Sequence, residues 1–308
     1  MTKKLYSNIE KTKLSGQDIS VNGVLRILGL SKSGYYDFTT RTLSKTAKKR
    51  DFIMDNILAI YDMSNQIFGA TKIYKKLLEK NISVSERTVT KYMKILGIRA
   101  IYVKKSKYEP QKTDITCELK NILNQQFNPD DPNEFWCTDI TYIPTLDGYV
   151  YLSCIMDLFS RKIIAWDLSD TLDTQNVVNA LNKAILKRGC RPKIIHTDRG
   201  CQFTSILWKD ACKNISLSFS KKHYPWDNAC IESFHSLIKR EWLNRYAIRD
   251  IDDAHNLIFE YIDAFYNTIR PHSACDYMSP DEFEEYYSKI KLEKKQKNKR
   301  LCRESCLQ

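Results

Sequence analysis

Three short segments carry acidic residues in settings where acids are costly. They are Trp136-Cys137-Thr138-Asp139-Ile140-Thr141-Tyr142, His196-Thr197-Asp198-Arg199-Gly200 and Asp227-Asn228-Ala229-Cys230-Ile231-Glu232-Ser233-Phe234. Asp139 lies in the middle of a strand-like run, and Asp198 ends another, Lys193 to Thr197. Glu232 sits one turn inside a helix-like run, with Ser236 and Lys239 following on its face at i+4 and i+7. A carboxylate inside an apolar strand is expensive to bury unless something positive binds it. Two strand carboxylates and one helix carboxylate form the donor set that two-metal phosphoryl transfer requires. Hard oxygen ligands suit Mg²⁺, with Mn²⁺ as a substitute. Two such ions roughly 3.5–4 Å apart can bridge one phosphate. One activates the attacking water or 3′-hydroxyl, and the other stabilises the leaving oxygen. Lys239 would then hold a neighbouring DNA phosphate.

Other polar residues in these segments read differently. Asp157, Asp167 and Asp227 fit structural roles as a turn, a strand end and a helix cap. His196 and His223 suit either substrate contact or a satisfied hydrogen-bonding role in the interior.

The elements that must position the three acids follow from periodicity. Phe135 to Ile143, Tyr149 to Met156 and Lys162 to Leu168 alternate as a three-strand meander. Then come a helix (Val177 to Leu186), a strand (Pro192 to Thr197), a helix (Ile206 to Lys213), a strand (Leu217 to Ser220) and a helix (Asp227 to Trp242). Three meandering strands followed by alternating helix and strand is the order of a ribonuclease-H-like α/β fold, expected over residues 134–246.

Residues 1–100 read as helical. Thr71 to Lys80 places Ile73, Tyr74, Leu77 and Leu78 on one face, and Asn81 breaks it. Ser85 then caps Glu86 to Leu96, which stops at Gly97. Helix, short break and Ser-capped helix make a helix-turn-helix pattern. Arg87, Thr88, Lys91 and Lys94 point outward, where they can meet DNA. Residues 101–133 read as a basic linker interrupted by a short helix, Cys117 to Leu123. Residues 247–288 form a C-terminal helical extension whose last helix is capped by Ser279-Pro280-Asp281 and runs through Glu285. Residues 289–308 form a basic tail, read as a solvated or DNA-associated arm.

Bulk properties agree with a nucleic-acid partner. The 49 Lys and Arg exceed the 37 Asp and Glu, giving a formal net charge of +12 that favours a polyanion. The absence of 18 consecutive apolar residues predicts no membrane span, and the polar start predicts no signal peptide. A cytoplasmic protein, nucleoid-associated when bound to DNA, is expected. The ten Cys form no Cys-x-x-Cys pair and read as buried thiols in a reducing compartment, not as a zinc site.

The three acidic segments, continued by Cys201-Gln202-Phe203-Thr204-Ser205 and by Leu237-Ile238-Lys239 with Glu241, resemble the integrase core of bacterial insertion-sequence transposases. Arg270-Pro271-His272-Ser273-Ala274 and Ser279-Pro280-Asp281-Glu282-Phe283 resemble that family's C-terminal signature. Leu28 to Tyr36 and the 69–99 segment resemble the start of its downstream-frame protein, OrfB, of the IS-three type. The resemblance implies a DDE triad of Asp139, Asp198 and Glu232, a DNA-contacting Lys239, and cleavage of element ends followed by strand transfer into target DNA. It also implies a homo-oligomer, and an upstream-frame helix-turn-helix protein as fusion or partner. The interval between Asp198 and Glu232 is shorter than the family's usual one, and His223-Tyr224-Pro225-Trp226 replaces small polar residues. The alternatives are a non-catalytic helix-turn-helix regulator, or a ribonuclease-H-type nuclease that cuts without joining.

Overall fold

A computed structural model of the chain describes residues 2–15, 20–40, 44–101, 119–221 and 224–305. Three antiparallel strands, β1 (Phe135–Thr145), β2 (Gly148–Asp157) and β3 (Ile163–Ser169), form the expected meander. Two short strands, β4 (Ile194–Thr197) and β5 (Ser216–Phe219), add in parallel on the other side of β1. The sheet order is β3-β2-β1-β4-β5, so β1 is central. Its alternation sends Trp136 and Ile140 into an apolar core and Asp139 to the opposite face.

Among the described residues, six helices precede the sheet: α1 (Thr2–Leu14), α2 (Val21–Ile27), α3 (Lys32–Thr40), α4 (Lys45–Met63), α5 (Ala70–Glu79) and α6 (Glu86–Leu96). Within and after it come α7 (Thr174–Arg188), α8 (Cys201–Thr204), α9 (Ile206–Ala211), α10 (Ala229–Glu241), α11 (Ile251–Tyr261) and α12 (Pro280–Ser305). The architecture is the ribonuclease-H-like α/β core with an N-terminal helical region that the residue pattern predicts. Among the described residues no helix is long and apolar enough to cross a membrane.

Two compact units divide the chain, Met1–Ala59 and Ile60–Gln308. In the first, Tyr6 and Ile9 of α1 bury against Leu25 and Tyr35. The second holds the sheet together with α5 and α6. Ile73 and Leu77 of α5 are buried, as are Val89 and Met93 of α6. The Ser85 hydroxyl accepts from the Thr88 N–H at 3.2 Å, and Gly97 takes the left-handed conformation (φ 72°) that ends α6.

One face of the sheet is covered by α7, α8 and α9, through Val177, Leu181, Phe203 and Trp208 against Trp136 and Ile195. On the other face α10 lies against β1, burying Ile231, Phe234 and Ile238. Its last residue, Glu241, is fully buried and meets Arg270 side-on. The guanidinium donates through Nε at 2.8 Å and Nη2 at 2.7 Å, and the Tyr261 hydroxyl donates to the same carboxylate at 2.7 Å. Burial pushes the Glu241 carboxyl up, but Arg270, Lys72 and Tyr261 outweigh it and hold the group below its usual range. This pair fastens the helix carrying Glu232 to the C-terminal extension.

Several expectations change. Helix α12 runs on past Glu285 to Ser305, because nothing after Pro280 breaks it: the stretch lacks Gly and Pro and is rich in Lys and Glu. Ser279 and Glu282 close its start reciprocally. The helix expected at Cys117 to Leu123 lies partly outside the described residues, and 119–123 are not helical. Instead, Phe219 N–H donates to the Lys120 carbonyl, and the Ile122 and Leu123 N–H groups share the Ser218 hydroxyl. Asp227 does not cap α10. It lies in a 3₁₀ turn (Pro225–Asn228) and accepts from Asn121, Gln125 and the Lys221 N–H. Of the described Cys, 137, 154, 212 and 275 are buried and Cys230 partly so, but Cys190 and Cys201 are exposed and do not fit the buried-thiol reading.

The Glu241–Arg270 pair yields a test. Replacing Arg270 with Met strands a buried carboxylate and should cost about 3–5 kcal/mol in urea unfolding. The double variant Glu241→Met/Arg270→Met should recover most of that loss. Equal instability of the single and double variants would refute the assignment of the cost to the lone charge.

Candidate active site

The parallel register of β1 and β4 brings two of the acids together. Phe135 pairs with Ile194, Trp136 with Ile195 and Cys137 with His196. Two residues further along the same register stand Asp139 and Asp198, on the same face as Cys137 and His196. Asp139 is mid-strand and Asp198 follows the last residue of β4, where a parallel strand opens to ligands. The Asp198 carboxylate is tied to its own turn by the Gly200 N–H at 2.9 Å.

Glu232 arrives from α10, an exposed residue on the turn that follows Ala229. Asp198 feels both of the other acids. Burial is the largest influence on Asp198 and pushes its carboxyl up to about 7; the charges of Asp139 and Glu232 push the same way, against the Gly200 hydrogen bond. One protein chain thus gathers three carboxylates, from a strand, a turn and a helix, into a common field.

Two further side chains of α10 face Asp139. His235 is buried, and its Nδ1 lies 3.3 Å from Asp139 Oδ2. Lys239 is half-buried, which lowers its ammonium from the usual range, and the charge of Asp139 opposes that lowering. Residues 232, 235 and 239 stand at i, i+3 and i+7, so one stripe of the helix carries all three.

The donor set fits a hard divalent cation. The charges of Asp139 and Glu232 raise the Asp198 carboxyl, and a positive charge among them relieves that repulsion. Among the described residues, no three His, Cys, Asp or Glu side chains stand in a ready-made metal cluster. Among the described residues, His235 approaches Asp139 and Lys239 adds positive charge to it.

Residues outside this cluster fall as follows. Arg87, Lys91 and Lys94 are exposed on α6, as the helical wheel requires. His196 is buried, its two ring nitrogens engaged by Ser218 Oγ at 2.9 Å and Ser220 Oγ at 3.0 Å. Burial lowers it to about 4, and it serves the β4–β5 pairing, not a substrate. His223 lies outside the described residues. Asp157 is not a turn residue but the buried last residue of β2, accepting from the Asn133 and Phe159 N–H groups, and Asp167 lies within β3, paired with Lys183. His235 went unnoticed in the sequence, although its i+3 spacing from Glu232 was the available signal.

Comparisons with known proteins place the chain in a family. An integrase core domain family matches residues 129–225, a second integrase core domain family residues 213–280, and an HTH-like domain family residues 48–106. The chain is 35% identical over 254 residues to the transposase for insertion sequence element IS904 of Lactococcus lactis, covering 80% of this chain and 99% of that one. It is 32% identical over 287 residues to the transposase InsF for insertion sequence IS3A of Escherichia coli, covering 91% and 98% respectively. The HTLV-2 integrase catalytic core in complex with magnesium overlays with a TM-score of 0.40 and 19% identity, over 50% of this chain and 97% of that one.

The raised Asp198 carboxyl has a sign that can be checked. Its folded pKa of about 7 exceeds the ordinary carboxylate value of 3.8, so the folded state holds the proton more tightly. Metal-free protein should therefore lose stability as pH rises from about 4 through about 7. Asp198→Asn, a neutral isostere, should remove that slope and be more stable than wild type at pH 8 by about 2 kcal/mol. Urea titrations of both proteins in EDTA across that range decide it, and parallel pH profiles would count against the crowded-carboxylate account.

Proposed function

Because the chain belongs to the integrase-core transposases of IS3-type insertion sequences, we propose that it cuts element ends and transfers them into target DNA through Asp139, Asp198 and Glu232. The observation that carries the reading is the shared field of the three carboxylates, centred on the destabilised Asp198. These three side chains would hold Mg²⁺ or Mn²⁺. When bound, such ions make the attacking hydroxyl more nucleophilic and offset charge on the leaving oxygen.

The chain's own residues supply position and charge. Asp139 is held by pairing with Cys154 of β2, on a strand that pairs with β4 up to Cys137. The Gly200 N–H keeps Asp198 turned into the site. Glu232 and Lys239 come from one helix, which sets the carboxylate and the ammonium a fixed distance apart along its axis. Lys239 would hold a DNA phosphate beside the reacting one. In strand transfer the 3′-hydroxyl oxygen forms a new bond to a target phosphorus as the opposite 3′ oxygen departs, so no covalent enzyme intermediate is needed. Arg87, Lys91 and Lys94 on α6 would grip DNA phosphates or base edges. A homo-oligomer, with the upstream-frame helix-turn-helix protein as fusion or partner, would bring two element ends together.

Strand-transfer assays with element-end DNA, Mg²⁺ and the upstream-frame protein test the reading. Asp139→Asn, Asp198→Asn and Glu232→Gln should each lower product formation by about 10³-fold or more while end binding persists. Full activity in any of them would exclude that residue from the chemistry. Cleavage without joining would favour the nuclease alternative.

The α6 residues make a separate expectation. Arg87→Ala/Lys91→Ala/Lys94→Ala should weaken DNA binding and reduce the slope of log affinity against log salt by about 3. An unchanged slope, read by fluorescence anisotropy at several salt concentrations, would place the DNA elsewhere.

A further inference from the structure

The imidazole of His235 is 5% exposed, in the seam between α10 and β1. Its Nδ1 is 3.3 Å from Asp139 Oδ2. Its Nε2 is buried and has no hydrogen-bond partner among the described residues. The ring also lies against Phe234, with centroids 5.6 Å apart, and Phe234 in turn packs edge-on to Tyr266. A position chosen for packing alone would carry Leu, Met or Phe, since a buried ring nitrogen without a partner costs about 1–3 kcal/mol. Among the described residues, the polar group that approaches the ring is the Asp139 carboxylate.

From this geometry we infer that His235 is a positioning residue: Nδ1–H donates to Asp139 and fixes the rotamer in which that carboxylate receives a cation. Facing a carboxylate, which only accepts, Nδ1 must carry a proton. Oδ2 is then held toward α10, and Oδ1 is left for the open side of the site. The same ring couples the helix to the strand. His235 stands one turn after Glu232, so the bond ties the separation of Asp139 and Glu232 to the seating of α10 on β1. Lys239, a turn further on, adds its charge to the same carboxylate without replacing the directional bond. Partners that orient a ligand side chain typically change metal affinity by about 10–100-fold when removed.

The inference rests on the reading of Asp139 as a cation ligand, and the test separates the two. The probe is Mn²⁺ alone, titrated into the full chain and followed by the electron paramagnetic resonance signal of the free ion, with thermal unfolding measured on the same samples. His235→Asn keeps a donor near the Nδ1 position but fills the seam poorly. His235→Met fills the seam and has no donor. Positioning predicts that Asn binds Mn²⁺ within about 3-fold of wild type despite a lower Tm, while Met binds about 10–100-fold more weakly at a Tm equal to or above wild type. If Mn²⁺ affinity instead follows Tm, with Met normal and Asn impaired, His235 is a packing residue and the inference fails. Asp139→Asn is the control for the underlying reading. Normal Mn²⁺ binding by Asp139→Asn would overturn both, whereas weak binding by Asp139→Asn with normal binding by His235→Met would overturn the role of His235 alone.

Discussion

Everything at the candidate site depends on the parallel pairing of β1 with β4. A strand alternates its side chains with a period of two, so a slip of one residue would turn Asp198 to the face opposite Asp139. The observed register, Cys137 against His196, puts both acids on one face and at one level. That register is protected by burial, since Trp136 and Ile195 must both enter the apolar core on the other face. The hydrophobic effect thereby positions two charged groups that it would never itself place side by side.

Such a placement has an electrostatic cost, visible in Asp198, whose carboxyl is driven up to about 7 by burial and by two neighbouring charges. The chain answers with local donors: the Gly200 N–H for Asp198, and His235 and Lys239 around Asp139. The third acid needs a different support, because a helix can rotate or slide on a sheet. The buried Glu241–Arg270 pair restrains α10 at the end opposite Glu232, and Tyr261 completes the carboxylate's hydrogen bonds. A charge pair this dry is a poor source of net stability but a sharp constraint on register, since any shift leaves a charge unpaired. The C-terminal signature of the family thus has a physical meaning in this chain: Arg270 anchors the helix on which Glu232 rides.

Much of this was open to a reader of the residues. Two-residue alternation announced the meander, and Ser85 and Gly97 announced both ends of α6, because strands, caps and stops depend on neighbours in the chain. What failed was decided by partners far away in sequence. Asp227 looked like a helix cap, but Asn121 and Gln125 compete for its carboxylate from about a hundred positions upstream. The stretch after Leu119 has an acceptable helical pattern, yet its N–H groups are claimed by Ser218. The end expected at Glu285 was the reverse case, a helix for which no breaker exists to make it stop.

By itself the sequence determined most of the elements, their order along the chain and the acids worth attention, since periodicity and local chemistry are written along the chain. It also determined the family, because several motifs occur together in order. Only the tertiary structure decided which side chains share a field with those acids. His235 against Asp139, Glu241 against Arg270 and the satisfied His196 are all products of helix seating and strand register. Those are set by the summed packing of both sheet faces, which no single segment encodes.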